Sequence, residues 1–250
     1  MTAMLGMYDM PPLQSSNDRF WELIRTHLGD GPARLTRDRD FWDIWQDPDL
    51  VFAQTCGMPY RTRLHGRVQL VGTPDYGLPG CPPGYYCSVF VARAGDDRDL
   101  NDLAQGSFAY NEALSQSGWA APITHLAGLG LKPRALLQSG GHARSAQAVA
   151  DGRADLAALD ALTWELLKEH TDLGTQLREA GRTTPTPTLP YVTSPARDAT
   201  AVADAVRRAI DDLPPQHRDR LHIRQLVDIP AETYLAVPTP PGPEAFLPKP

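Results

Sequence analysis

The chain of 250 residues is 42% hydrophobic and 22% charged, with a formal net charge of -6. That composition belongs to an ordinary globular chain, long enough for one large or two small domains. The negative balance and the lack of a dense Lys/Arg block exclude a general nucleic-acid binder, and no apolar run reaches the ~18 residues of a membrane span.

Cys56, Cys81 and Cys87 form no CxxC pair; the Cys81/Cys87 spacing permits a local disulfide, while three scattered cysteines read as reduced, structural thiols. The opening Met1-Thr-Ala-Met-Leu-Gly-Met-Tyr-Asp-Met-Pro has no basic stretch and no long apolar core, so it does not read as a secretory signal. A chain starting at its native residue is then expected in the cytoplasm, and one trimmed of a leader in the periplasm.

Residues 5–8 form the first expected strand, ended by Asp9 and the Pro11-Pro12 pair. Ser16 or Asn17 is expected to cap a helix whose Phe20, Leu23, Ile24 and Leu28 share one face. Residues 33–36 read as a short strand, and Asp40 opens a helix that buries Phe41, Ile44 and Trp45. The apolar strand 50–53 leads into Gln54-Thr-Cys-Gly-Met-Pro59, a loop able to face a ligand. Residues 68–71 are a further strand, and 74–84, dense in Gly and Pro, an irregular loop. Short strands alternating with helices indicate an α/β fold.

Residues 85–92 are strongly β in character and long enough to run from one domain into another. A second strand–loop–helix series runs from residue 100 to about 170. The Thr/Pro stretch 183–190 is an extended connector, and 191–193 a return strand. Residues 199–213 form an amphipathic helix with Val202, Ala205, Val206, Ala209 and Ile210 on one face, and the tail from Val237 is too rich in proline for a core element. Two blocks joined by crossings near 85–92 and 186–193 imply a two-lobed α/β molecule. The first lobe is discontinuous (1–88 plus 191–250) and the second inserted (89–190). A small ligand is expected in the cleft between them, with the two crossing strands as hinge.

Two stretches of the second lobe carry the chemistry. Phe108-Ala-Tyr-Asn-Glu-Ala-Leu-Ser-Gln-Ser-Gly118 and Ala135-Leu-Leu-Gln-Ser-Gly-Gly-His-Ala-Arg-Ser145 each read as a buried strand, a loop of hydroxyls and glycine, and a helix start. A helix start offers unpaired N–H groups and the positive end of the dipole, which suits an anion. Ser115 and Ser117 can donate hydroxyls to that anion while Gly118 lets the backbone approach, or the three form an ordinary cap with a turn glycine. Asn111 can donate its amide or stabilise its own loop. His142, where the dipole favours the neutral ring, can donate one N–H with Ser139 as companion, or cap the helix at the surface.

Asp160 follows the apolar run Leu156-Ala-Ala-Leu159, beyond the carboxyl end of a strand, where open α/β sheets place their ligands. It would accept from a protonated oxygen, an amine or a hydroxyl, or simply cap the helix 161–168. From the first lobe, Tyr8 and Asp9 are expected to face the cleft, with Tyr76 as an aromatic wall. The histidines lack metal-ligand spacing, and no GxSxG, HExxH or GxxxxGK[ST] motif is present, so no catalytic residue, metal or cofactor is read from the sequence.

The segment Gln138-Ser-Gly-Gly-His-Ala-Arg-Ser-Ala-Gln-Ala-Val-Ala-Asp-Gly-Arg-Ala-Asp-Leu-Ala-Ala-Leu-Asp160 resembles the phosphate/phosphonate substrate-binding proteins of ABC transporters, in which a Ser-Gly-x-His turn opens a helix and a short strand follows. Asn111-Glu-Ala-Leu-Ser-Gln-Ser-Gly118 resembles the serine-rich oxyanion loop of that family, and Gly6-Met-Tyr-Asp9 its first strand and ligand loop. The resemblance covers most of residues 5–215. It implies a two-lobed type II periplasmic-binding-protein fold and a solute-binding role without bond chemistry. The implied ligand is a phosphate- or phosphonate-like oxyanion or a zwitterion, and the implied partner an ABC permease. The alternative is a cytosolic enzyme on the same scaffold acting on a small carboxylate or a phosphorylated metabolite, with Asp9, His142 and Asp160 as acid–base groups.

Overall fold

The structure is a computed structural model that describes residues 1–246. The chain divides into two compact units, the first built from residues 1–85 and 187–236, the second from 86–186 and the segment that begins at Val237. In chain order the strands are β1 Thr2–Met4, β2 Leu50–Gln54, β3 Gln69–Asp75, β4 Tyr85–Tyr86, β5 Ser88–Arg93, β6 Ser107–Tyr110, β7 Ala135–Gln138, β8 Leu156–Asp160, β9 Leu177–Arg182, β10 Thr186–Pro187, β11 Tyr191–Thr193 and β12 Gln225–Val227.

The first unit holds a sheet of order β1-β2-β11-β3-β12. β1 pairs with β2 in parallel, whereas β11 runs antiparallel to both β2 and β3, with Tyr191 opposite Gln54 and Gly72. The carboxyl ends of β1, β2 and β3 and the start of β11 therefore share one edge. Every residue of β2 is buried, which is why it reads as an unbroken apolar run rather than an alternating one. The helices Gln14–Leu28 and Ala199–Asp212 pack against each other, and Trp21 stacks on Phe52 of β2 with ring centroids 6.1 Å apart.

The second unit holds a sheet of order β7-β6-β8-β5-β9. β6 is parallel to β7 and β8, and β5 is antiparallel to β8 and β9. This brings the carboxyl ends of β6, β7, β8 and β9 to one edge, together with the start of β5. Phe90, Phe108, Trp119, Leu126 and Leu156 form the core beneath it.

Several elements differ from expectation. The first strand lies at Thr2–Met4, and Gly6–Tyr8 is a 3-10 turn that carries Tyr8 past the sheet edge. Pro11 and Pro12 preset a helical turn, so the following helix begins at Gln14 and neither Ser16 nor Asn17 caps it. Their side chains make tertiary bonds instead, Ser16 Oγ with His217 Nδ1 and Asn17 Nδ2 to Asp9 Oδ1, both at 2.9 Å. Residues 33–36 form no strand and contribute one backbone bond, Thr36 N–H to Ala3 O. The C-terminal segment from Val237 belongs to the second unit, where the sequence reading had put it in the first; its Phe246 packs on the buried Trp119. No disulfide joins Cys56, Cys81 or Cys87, and among the described residues no helix is long and apolar enough to cross a membrane.

Candidate functional site

The second unit gathers a polar cluster at the carboxyl edge of its sheet. β6 and β7 lie side by side in parallel, so the loops after Tyr110 and Gln138 are neighbours. Backbone bonds tie them: Ser139 N–H donates to Tyr110 O and Gly140 N–H to Asn111 O, both at 2.8 Å. Gly140, with φ +80°, then turns the chain into the helix His142–Ala150, whose first-turn N–H groups have no intrahelical acceptor. Ser117 Oγ lies 2.9 Å from His142 Nε2. A Cβ on Gly118 would overlap the Asn111 amide and come within 3.2 Å of His142 Cε1, so only glycine lets these groups meet. Asn111, Ser117, Gly118 and His142 thus converge from two loops onto one point.

Two atoms of this cluster, Asn111 Oδ1 and His142 Nδ1, are buried without a hydrogen-bond partner. Buried polar atoms are nearly always paired, so this coincidence calls for a ligand or water. Burial pushes the His142 imidazole down to about 4. The Ala158 backbone opposes this only in part. The ring is therefore neutral at pH 7, as the helix-start argument expects, but desolvation is the main cause.

The other sequence-named residues of this unit are engaged locally. Ser115 Oγ accepts from Gly118 N–H at 2.9 Å, capping the π-helical turn Gln116–Ala120. Ser139 Oγ is turned into its own loop, 2.7 Å from Ser145 Oγ and 3.0 Å from Gly141 O. Asp160, only 2% exposed, caps the helix Ala161–His170 by accepting from Thr163 N–H at 3.0 Å.

In the first unit, Tyr8 and Tyr76 meet edge to face with centroids 5.5 Å apart. Gln54 Nε2 donates to Tyr76 Oη at 2.9 Å and to Leu189 O at 3.1 Å. Asp9 is held by Arg37, with Nε 2.5 Å from Oδ2, and by Asn17. In return the Asp9 carboxylate holds the Arg37 guanidinium well above the usual arginine range.

Two buried hydroxyls that were not singled out lie at the same sheet edges, Thr55 Oγ1 just past β2 and Ser88 Oγ at the start of β5, both without a partner. Thr55 lies in the loop 54–59, whose placement after an apolar strand was a usable signal. Ser88 begins an apolar run and gives none.

A family model described as ABC transporter, phosphonate, periplasmic substrate-binding protein matches residues 49–229. No curated protein matches the chain in sequence. Among solved structures, the chain is similar to PhnD1 from Prochlorococcus marinus (MIT 9301) in complex with methylphosphonate, with 16% identity over 93% of this chain and 94% of that one and a TM-score of 0.69. A binding protein component of an ABC phosphonate transporter from Pseudomonas aeruginosa is 15% identical over 93% and 83% of the two chains, also with a TM-score of 0.69. A Xanthomonas citri protein bound to chloride ion is 14% identical over 93% and 92%, with a TM-score of 0.67. The chain therefore has the α/β fold of the periplasmic binding proteins.

Proposed function

The chain belongs to the periplasmic substrate-binding proteins of phosphonate ABC transporters, and from that premise we propose that it takes a small oxyanion bearing a proton, a phosphonate or phosphate, at Asn111, Ser117 and His142. The observation that carries this reading is the pair of unpartnered buried atoms, Asn111 Oδ1 and His142 Nδ1, beside a helix start. The Ser117–His142 contact uses one of the two protons that the hydroxyl and the neutral ring carry, so the pair supplies one donor, beside the free N–H groups of the first helical turn, for anionic oxygens. Asn111 Oδ1 supplies an acceptor, which suits a P–OH group and has no partner on a fully ionised sulfate. A neutral imidazole serves this role without the cost of burying a cation.

Asp160 supports an amine on the organic part of the ligand, since a buried carboxylate favours a protonated nitrogen over a second anion. The partner that goes with this role is an ABC permease and the compartment the periplasm, both carried over from the family.

Titration calorimetry with methylphosphonate, 2-aminoethylphosphonate, inorganic phosphate, sulfate and malate tests the reading. A phosphonate or phosphate is expected to bind more tightly than sulfate or malate. Binding by none of the phosphorus oxyanions, or tighter binding of sulfate, would overturn it.

A further inference from the structure

The loop that carries Ser117 and Gly118 is held from behind by the end of the chain. Trp119, next in sequence to Gly118, is fully buried, and its indole Nε1–H donates to the Pro241 carbonyl at 3.1 Å. Phe246 stands edge-on to the same indole with centroids 5.4 Å apart, and Lys132 Nζ lies 4.9 Å over the Phe246 ring. The indole also meets Tyr110, the residue before Asn111, with centroids 4.9 Å apart. One side chain therefore supports both ends of the loop from Asn111 to Gly118, and the C-terminal segment supports that side chain.

The geometry of the loop makes such support necessary. Residues Gln116–Ala120 form one π-helical turn, closed by Ala120 N–H to Ser115 O at 2.9 Å, and isolated π-turns are rarely stable on their own. The segment is itself anchored upstream. Tyr234 is 1% exposed, bonds Thr73 Oγ1 at 2.6 Å and donates to Thr188 O at 2.8 Å. From that anchor in the first unit the chain passes into the second unit at Val237.

We propose that Pro241–Phe246 is a strap, and Trp119 a positioning residue, that together hold the Ser117–Gly118 turn in its anion-ready shape. This rests on the reading of Asn111, Ser117 and His142 as the anion site. Without the strap the indole N–H loses its acceptor and the ring loses one wall, so the turn samples other conformations. Affinity then falls by the fraction of time the competent shape is lost.

Four proteins test this: the full chain, a chain ending at Ala236, the full chain carrying Phe246→Ala, and Phe246→Tyr as the conservative rescue. Hydrogen exchange of the unliganded proteins is read at residues 116–120 and, as a reference, at residues 142–150. Calorimetry is read with methylphosphonate. In the shortened chain and in Phe246→Ala, exchange at 116–120 is expected to rise and affinity to fall about tenfold, with 142–150 and the melting temperature of Phe246→Ala little changed and Phe246→Tyr like the full chain. Unchanged exchange at 116–120 overturns the strap, and faster exchange with unchanged affinity overturns its positioning role. Failure of the full chain to bind any oxyanion is read separately: it removes the anion site, while the exchange arm still decides the strap.

Discussion

Burial of the His142 ring makes stability depend on pH in a way that can be isolated. Folding lowers its pKa from 6.5 to about 4. Between those values the unfolded chain binds more protons than the folded one, so stability falls as the pH falls. The penalty is absent above pH 6.5, grows through pH 5 and is complete below pH 4. About 2.5 units at ~1.4 kcal/mol each amounts to ~3 kcal/mol, a large share of the stability of a typical domain. The assay is urea unfolding of the wild type and His142→Gln at intervals from pH 7 to pH 4. Carboxylate titrations common to both proteins cancel in the difference. His142→Gln is expected to be the less stable at pH 7, because it loses the Ser117 contact, and to gain ~3 kcal/mol on the wild type by pH 4. Parallel curves would show that the ring is not desolvated and would undo the argument for a neutral donor.

Other outcomes follow from single contacts. Gly118→Ala drives a methyl into the Asn111 amide and is expected to weaken methylphosphonate binding at least tenfold while costing about 1–3 kcal/mol in thermal or urea unfolding; full affinity would refute the convergence on Gly118. Asp160→Ala removes a helix cap and is expected to cost ~1 kcal/mol, whereas Asp160→Asn keeps the cap and its stability but weakens 2-aminoethylphosphonate binding more than methylphosphonate binding in calorimetry. Asp47 is held down to about 2 by the Thr2 hydroxyl and then by Arg39, so Asp47→Asn is expected to destabilise above pH 4 and to match the wild type as the pH falls through 2, which acid titration of the melting temperature would show.

The buried parts of the fold were legible because burial writes apolar runs. β2, β6 and β8, and the helices Ala199–Asp212 and His142–Ala150, all show in the sequence as such runs or faces. β9 and β12 do not. Both are edge strands, and Arg178, Glu179 and Arg182 on β9 give it the polar character that protects an open edge and hides it from pattern reading. In the site, Ser115 and Ser117 look alike in sequence, yet one caps the turn and the other faces His142. Only the phase of the π-turn separates them. Asp9 was misleading for a different reason. Its partner Arg37 lies beyond the intervening helix, a pairing that no local pattern encodes.

The position of β11 in the first sheet has a consequence for how the chain is made. It is the middle strand, between β2 and β3, yet it is synthesised after the whole sheet of the second unit. On the ribosome the second sheet is complete once Arg182 has emerged, while β2 and β3 wait with their facing edges unpaired until Tyr191–Thr193 arrives. The middle of the chain thus supplies the first finished sheet, while the unpaired edges of β2 and β3 stay open to pairing with neighbours. The segment that packs on Trp119 emerges later than either sheet, so the loop it supports is set after both have formed.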